Sequence, residues 1–205
     1  MKSNSPTTDA RTRRKQETRS RLRQAAMTMF RERGYDATTV GQIAAAAGVS
    51  HMTFFRYFGS KEEVVFASEH KSAVVDHLLA RPADEPPAEK ICNALIAGLS
   101  ALGHEERRDL LERTRLVFAT PALHARYLQQ HPDDQRMIVK ALEGESTSAG
   151  APGMTLWVLT SACLAAVATA VRFWVEADGS TNLAELVKQA FADLRDGFAG
   201  IDHDG

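Results

Sequence analysis

The sequence predicts an all-α protein in two parts: an N-terminal three-helix domain that holds a helix-turn-helix, and a larger helical domain behind it. Three observations carry that prediction. Apolar residues recur at helical spacing along most of the chain, with almost no strand-like alternation. Thr39-Val40-Gly41-Gln42 and Ser60-Lys61-Glu62-Glu63 both have the form of a capping box, a hydroxyl followed three residues later by Gln or Glu. The charge is divided. Residues 1–65 hold 12 Lys and Arg against 6 Asp and Glu, whereas the remaining 140 hold 13 against 20. A basic first third on an acidic remainder asks for a partner that only one part of the chain meets.

Taken in order, residues 1–12 are polar and read as a flexible tail. Leu22, Ala25, Ala26, Met29 and Phe30 then form one stripe of a helix, which Gly34 stops. The Thr39 box opens a second helix with the apolar face Val40, Ile43, Ala44 and Ala47, ended by Gly48. Ser50 caps a third helix, with Val49 and Phe54 spaced as a hydrophobic staple. Residues 39–58 are thus helix, short glycine turn, helix, and the small residues Ala44 to Ala47 let the two approach closely. On a wheel of about 100° per residue, the third helix divides its aromatic run. Phe54 and Phe58 fall together and face the first helix; Met52 and Arg56 lie opposite, with Thr53 and Tyr57 on one edge and His51 and Phe55 on the other. The Ser60 box opens a fourth helix, with Val64, Val65, Ala67 and Ser68 early in it.

Arg81 to Lys90 contains three prolines and reads as the break between a first domain, 13–76, and a second, 77–205. In the second, Ile91, Leu95, Leu99 and Leu102 form one helical face, and the next helix stops at Thr120-Pro121, where Thr as N-cap and Pro at N1 open another. His131-Pro132 kinks or restarts that helix, and Gly144 to Gly153 is a loop. Two long helices follow, at about 154–177 and 181–199. Met154 to Val171 is uncharged and long enough for a membrane span. Its Thr, Ser and Ala content, and Arg172 directly after it, point instead to a helix buried on all sides at a core or subunit interface, with no membrane partner. The two cysteines, Cys92 and Cys163, fall in apolar helical patterns and read as buried thiols. No secretion signal is visible, so the expected location is the cytoplasm.

At this point the chain resembles a known family. The stretch "AAMTMFRERGYDATTVGQIAAAAGVSHMTFFRYFGSKEEVV" resembles the DNA-binding region of TetR-family transcriptional regulators, over about residues 16–76. The resemblance implies a homodimer that sets the second helix of each motif in the major groove of a palindromic double-stranded DNA operator. It implies DNA contacts by Ser50, His51, Met52, Thr53, Phe55, Arg56 and Tyr57, with Thr39 and Lys61 on phosphates. Arg56 can donate to guanine or phosphate, Thr53 and His51 to base edges, and Met52 or Phe55 can meet a thymine methyl. The family often has tyrosine at position 55; Phe55 has no hydroxyl, which shifts the phosphate role there to Tyr57 and Arg56. Arg11, Arg13, Arg14 and Lys15 can add backbone or minor-groove contacts.

The resemblance also implies that the larger domain binds a small-molecule effector and that its last two helices pair with those of the second subunit. "LLERTRLVFATPALHARYLQ" resembles a subgroup that recognises acyl-CoA-like ligands. Leu110, Val117, Phe118, Trp157 and Trp174 can line an apolar tunnel, and Arg113, Arg115 and Arg126 can supply cations at its mouth. An aromatic or drug-like effector is the alternative. An acyl-processing enzyme with an accessory helical motif is disfavoured. The sequence has no G-x-S-x-G, no phosphate-binding loop and no His/Cys metal spacing, and implies no cofactor or metal. A sequence-blind DNA-packaging protein is disfavoured by the acidic remainder.

Overall fold

A computed structural model describes residues 6–66, 70–143 and 153–197, and their regular structure is entirely helical. The chain divides into two compact units, Met1–Ser68 and Glu69–Gly205.

The first unit holds α1 (Pro6–Arg33), α2 (Val40–Ala46), α3 (His51–Tyr57) and α4 (Lys61–Phe66). Its core combines the predicted stripe of α1, with Leu22, Ala26, Met29 and Phe30 buried, with Ile43 and Ala44 of α2, Phe54 and Phe58 of the third helix and its end, and Val64 and Val65 of α4. The Thr39 box is complete: Thr39 Oγ1 accepts from Gln42 N at 3.3 Å, and Gln42 Oε1 accepts from Thr39 N at 2.9 Å. Between α2 and α3, Val49 N bonds to Ala44 O and Gly48 N to Ala45 O. That double bond pattern needs a left-handed residue just past the helix, and Gly48 supplies it at φ 66°. Two expectations are corrected here. The chain is already helical at Pro6, so Arg11 sits on α1 with Arg13, Arg14 and Lys15 and not on a tail. Their stretch buries no apolar stripe, which is why no periodicity announces it. In the second box, Ser60 Oγ accepts from Glu63 N, but Glu63 turns back to Gly59 N at 2.8 Å, one residue beyond the position expected. Ala67 and Ser68 lie outside the described residues.

The second unit holds α5 (His70–Leu79), α6 (Pro87–Ser100), α7 (His104–Ala119), α8 (Pro121–Glu143), α9 (Met154–Glu176) and α10 (Leu183–Arg195). The proline-rich break falls inside this unit, joining α5 to α6, and not between domains. Arg81 forms a two-pronged ion pair with Glu85 at 2.6 Å, and Asn93 donates to the same carboxylate at 2.7 Å. The prolines thus mark a clamped corner. Helix α8 runs through exposed Pro132 without restarting. Helix α9 packs on α10, α8, α6 and α7 through Thr160, Cys163, Ala170 and Trp174. It is not buried all round. Met154, Val158, Ser161, Ala165, Thr169 and Phe173 form an open stripe along its other side. It is long and apolar enough to cross a membrane, yet composition alone does not separate a span from a helix with one face turned to another protein. Cys163 is buried and Cys92 half-buried; burial pushes the Cys163 thiol up to about 11. Residues 144–152 of the expected loop, and residues 198 and 199 of the expected last helix, lie outside the described residues.

Candidate nucleic-acid interface

Helix α3 is short, and what orients it is the packing of one side. Phe54 is fully buried and Phe58 nearly so, with their rings 5.8 Å apart. Arg19 of α1 lies over the Phe58 ring at 5.4 Å. The opposite side is open: Met52 is 77% exposed and Phe55 44%. Arg56 is exposed, with its guanidinium 5.5 Å from the Tyr57 ring centre. Thr53 and Tyr57 are half-buried at the edge, and exposed His51 meets Phe55 edge-on at 4.9 Å. Ser50 caps the helix by accepting from Thr53 N at 3.1 Å, and its hydroxyl lies 2.9 Å from that of Thr53. The structure therefore brings Ser50, His51, Met52, Thr53, Phe55, Arg56 and Tyr57 onto one projecting surface. A surface of one cation, small hydroxyls and exposed apolar groups on a helix suits the mixed donor, acceptor and methyl pattern of the major groove.

Thr39 and Lys61 are placed differently. The Thr39 hydroxyl is already engaged with Gln42, at 3.1 Å from its Oε1. Lys61 donates to Tyr35 O at 2.9 Å and Thr38 O at 3.3 Å, and its ammonium sits 4.1 Å from the Tyr35 ring centre. Two of its three donors thus hold the α1–α2 turn. Lys61→Met is expected to lower the unfolding temperature of the N-terminal unit as well as DNA affinity. A loss of affinity with unchanged melting would instead assign Lys61 to phosphate alone.

Next to it, Tyr35 donates to Glu62 Oε1 at 2.5 Å, tying α4 to the same turn. Burial pushes the Glu62 carboxyl up, but hydrogen bonds from Tyr35 and Ser60 and the charge of Lys61 outweigh it, and Glu62 sits below its ordinary value. A carboxylate whose pKa is depressed in the folded state stabilises above its unfolded pKa, and that contribution is lost as pH falls through the folded value. Tyr35→Phe should therefore make the N-terminal unit less stable at neutral pH, and its stability should fall less than that of wild type between about pH 5 and pH 3. Parallel acid titrations of melting temperature check this.

In the second unit a cavity of about 420 Å³ lies where the end of α6, the start of α7 and the α9–α10 turn meet. Leu110 and Trp174 line it. The other six residues expected at an effector site do not. Arg113 is buried beside Asp109 at 2.9 Å, and Arg115 pairs with Asp178. Val117 is buried, Phe118 packs with His124 and Tyr127, and Arg126 is exposed on α8. Trp157 lies on the open side of α9, where its carbonyl accepts from Gln135. The lining also includes the stretch from Gly179 to Ala184, where the last helix begins at Leu183, two residues later than the spacing suggests, and which the sequence does not mark as part of a site.

A helix-turn-helix with an exposed second helix, followed by an all-helical unit with a cavity, defines a DNA-binding regulator with a sensing domain. Residues 22–67 match the family of bacterial regulatory proteins, tetR family, and residues 85–199 match the MftR C-terminal domain. The chain belongs to the TetR family of transcriptional regulators and not to a family of enzymes. It is similar to the HTH-type transcriptional regulator TcmR of Streptomyces glaucescens, 36% identical over 137 residues, 62% of this chain and 61% of that one. The match thus spans less than two thirds of that relative's length. Thermus thermophilus FadR, a TetR-family transcriptional repressor solved in complex with lauroyl-CoA, is 24% identical, covering 91% of this chain and 98% of that one with a TM-score of 0.50. The complex of triclosan with SmeT, the repressor of the Stenotrophomonas maltophilia multidrug efflux pump SmeDEF, is 16% identical, covering 86% and 90% with a TM-score of 0.57. Likeness at those identities shows the fold.

Proposed function

We propose that this protein is a cytoplasmic homodimer that binds a palindromic operator through α3 and represses transcription until a small molecule releases it. The observation that carries the reading is the division of α3: Phe54 and Phe58 fasten it to the core while Met52, Thr53 and Arg56 are presented outward. A two-fold dimer sets two such helices about one helical turn, ~34 Å, apart or somewhat more. The open stripe of α9 supports the dimer. It is an apolar and small-residue surface that a second copy would cover, together with α10. Release by an effector is supported by the cavity of the second unit and by the lauroyl-CoA and triclosan complexes of the similar FadR and SmeT.

The test is binding to the promoter region of the gene itself, measured by fluorescence anisotropy against a scrambled fragment at near-physiological salt. Specific binding supports the reading. Weak binding that ignores sequence and vanishes with added salt would sink it.

A further inference from the structure

We infer that the cavity between α6, α7 and the α9–α10 turn is a site for a small amphipathic organic anion, a carboxylate with an apolar body. The inference deepens the effector reading and rests on it for its regulatory meaning, though not for binding.

The lining combines two chemistries. One is apolar, with Leu99, Leu111 and the buried indole of Trp174. The other consists of donors. Arg107 is exposed at the cavity, and its guanidinium has no partner among the described residues. Asn182 spends its carbonyl oxygen on Ala184 N, which leaves its two amide hydrogens unused by the helix it caps. No Asp or Glu lines the cavity. The carboxylates beside Arg107 in sequence are already engaged: Glu105 pairs with Arg108, itself a lining residue, at 2.9 Å, Glu106 accepts from Gly103 N at 2.7 Å, and Asp109 pairs with Arg113 at 2.9 Å. A neutral ligand would leave the exposed guanidinium of Arg107 to water and gain nothing from it, and a cation would be repelled. A carboxylate satisfies the guanidinium in a two-pronged geometry while its body covers the indole.

Size narrows the class. A volume of about 420 Å³ lies in the lower part of the range of roughly 300–1,000 Å³ found for small-molecule sites. It suits a medium-chain or bicyclic aromatic acid. The other guanidinium of the lining, Arg108, is already paired with Glu105, so the lining offers one unpaired guanidinium, which suits a single carboxylate better than the several phosphates of a coenzyme A. The site also touches an element able to report occupancy. Asp178 and Gly179 are both left-handed, at φ 57° and 71°, and a Cβ at Gly179 would come within 2.4 Å of Leu111 Cδ2. The turn is pressed onto α7, so an occupant held by Arg107 and Asn182 bridges α7 to the start of α10.

The experiment uses the full-length chain with Trp157→Phe, which leaves Trp174 as its one indole fluorophore. Decanoate and 2-naphthoate are titrated beside their neutral amides, with operator release followed separately. The expected result is a saturable change in Trp174 emission with at least one acid, at roughly tenfold or greater preference over its amide. Arg107→Gln should erase that preference, and Arg107→Lys should keep part of it. No saturable change with either acid, equal binding of acid and amide, or undiminished binding by Arg107→Gln would overturn the site. An acid that meets the binding criteria but leaves the operator bound supports the site and refutes the effector reading. Operator release by another compound, with Trp174 silent to both acids, does the reverse.

Discussion

Phe54→Ala is expected to abolish operator binding by unfolding the N-terminal unit while the second unit stays helical. Phe54 is 0% exposed and contacts the rings of both Phe55 and Phe58. Truncating a buried phenylalanine to alanine costs about 3–5 kcal/mol, combining lost transfer energy with the cavity left behind. A unit of the size of Met1–Ser68 rarely draws more than about 3–5 kcal/mol from its single core. The substitution therefore removes most of the margin. Urea unfolding followed by circular dichroism should show an early transition with part of the helical signal, and limited proteolysis should cut within residues 6–66 first. Phe55→Ala serves as the control. Phe55 is 44% exposed, so that variant should stay folded and lose affinity only. Equal stability of Phe54→Ala and wild type would mean that α3 is not held by this ring.

Arg56→Ala is expected to leave melting and dimerisation unchanged and to weaken specific operator binding severely. Arg56 is exposed and lies against the neighbouring Tyr57 ring, so removing it leaves no buried group unpaired. A guanidinium on a guanine edge is worth about 1–3 kcal/mol of discrimination. The proposed dimer makes that contact twice, which gives roughly 30- to 20,000-fold in affinity if the two half-sites contribute equally. Non-specific binding should fall far less. If Arg56 instead holds phosphate, specific and scrambled DNA weaken by the same factor, and the salt slope falls by about one for each phosphate the variant no longer neutralises. Titration of both DNAs at several salt concentrations separates the two roles.

The N-terminal unit is legible in sequence because its signals are local. The Thr39 box, the Ser50 cap and Gly48 each act within a few residues, and the apolar spacing of α1 and α3 sorts core from surface without a partner. Helix α1 escapes notice where its described side chains bury no apolar stripe, at Arg11 and from Arg13 to Arg21. The role of Lys61 is hidden for the opposite reason. Its partners, the carbonyls of Tyr35 and Thr38, are brought to it by the fold and leave no mark in sequence spacing. The second unit shows this on a larger scale. The prolines at 82, 86 and 87 signal a corner whether it joins domains or helices, and only the packing of α5 against α6 and α8 decides which. Arg115 looks like a free cation in a charged helix because Asp178 becomes its partner only on folding, whereas Asp109 stands four residues before Arg113, a spacing that already allows that pair. Arg107, a few residues away in the same charged run, faces a cavity instead.

The proposed regulation depends on where α3 sits on DNA. Dimethyl sulfate footprinting of the promoter region measures this, because methylation strikes guanine N7 in the major groove. The structure predicts guanines protected in two half-sites related by a dyad and about one helical turn apart, with that protection absent in Arg56→Ala. Binding of the wild-type protein with no symmetric N7 protection would contradict it.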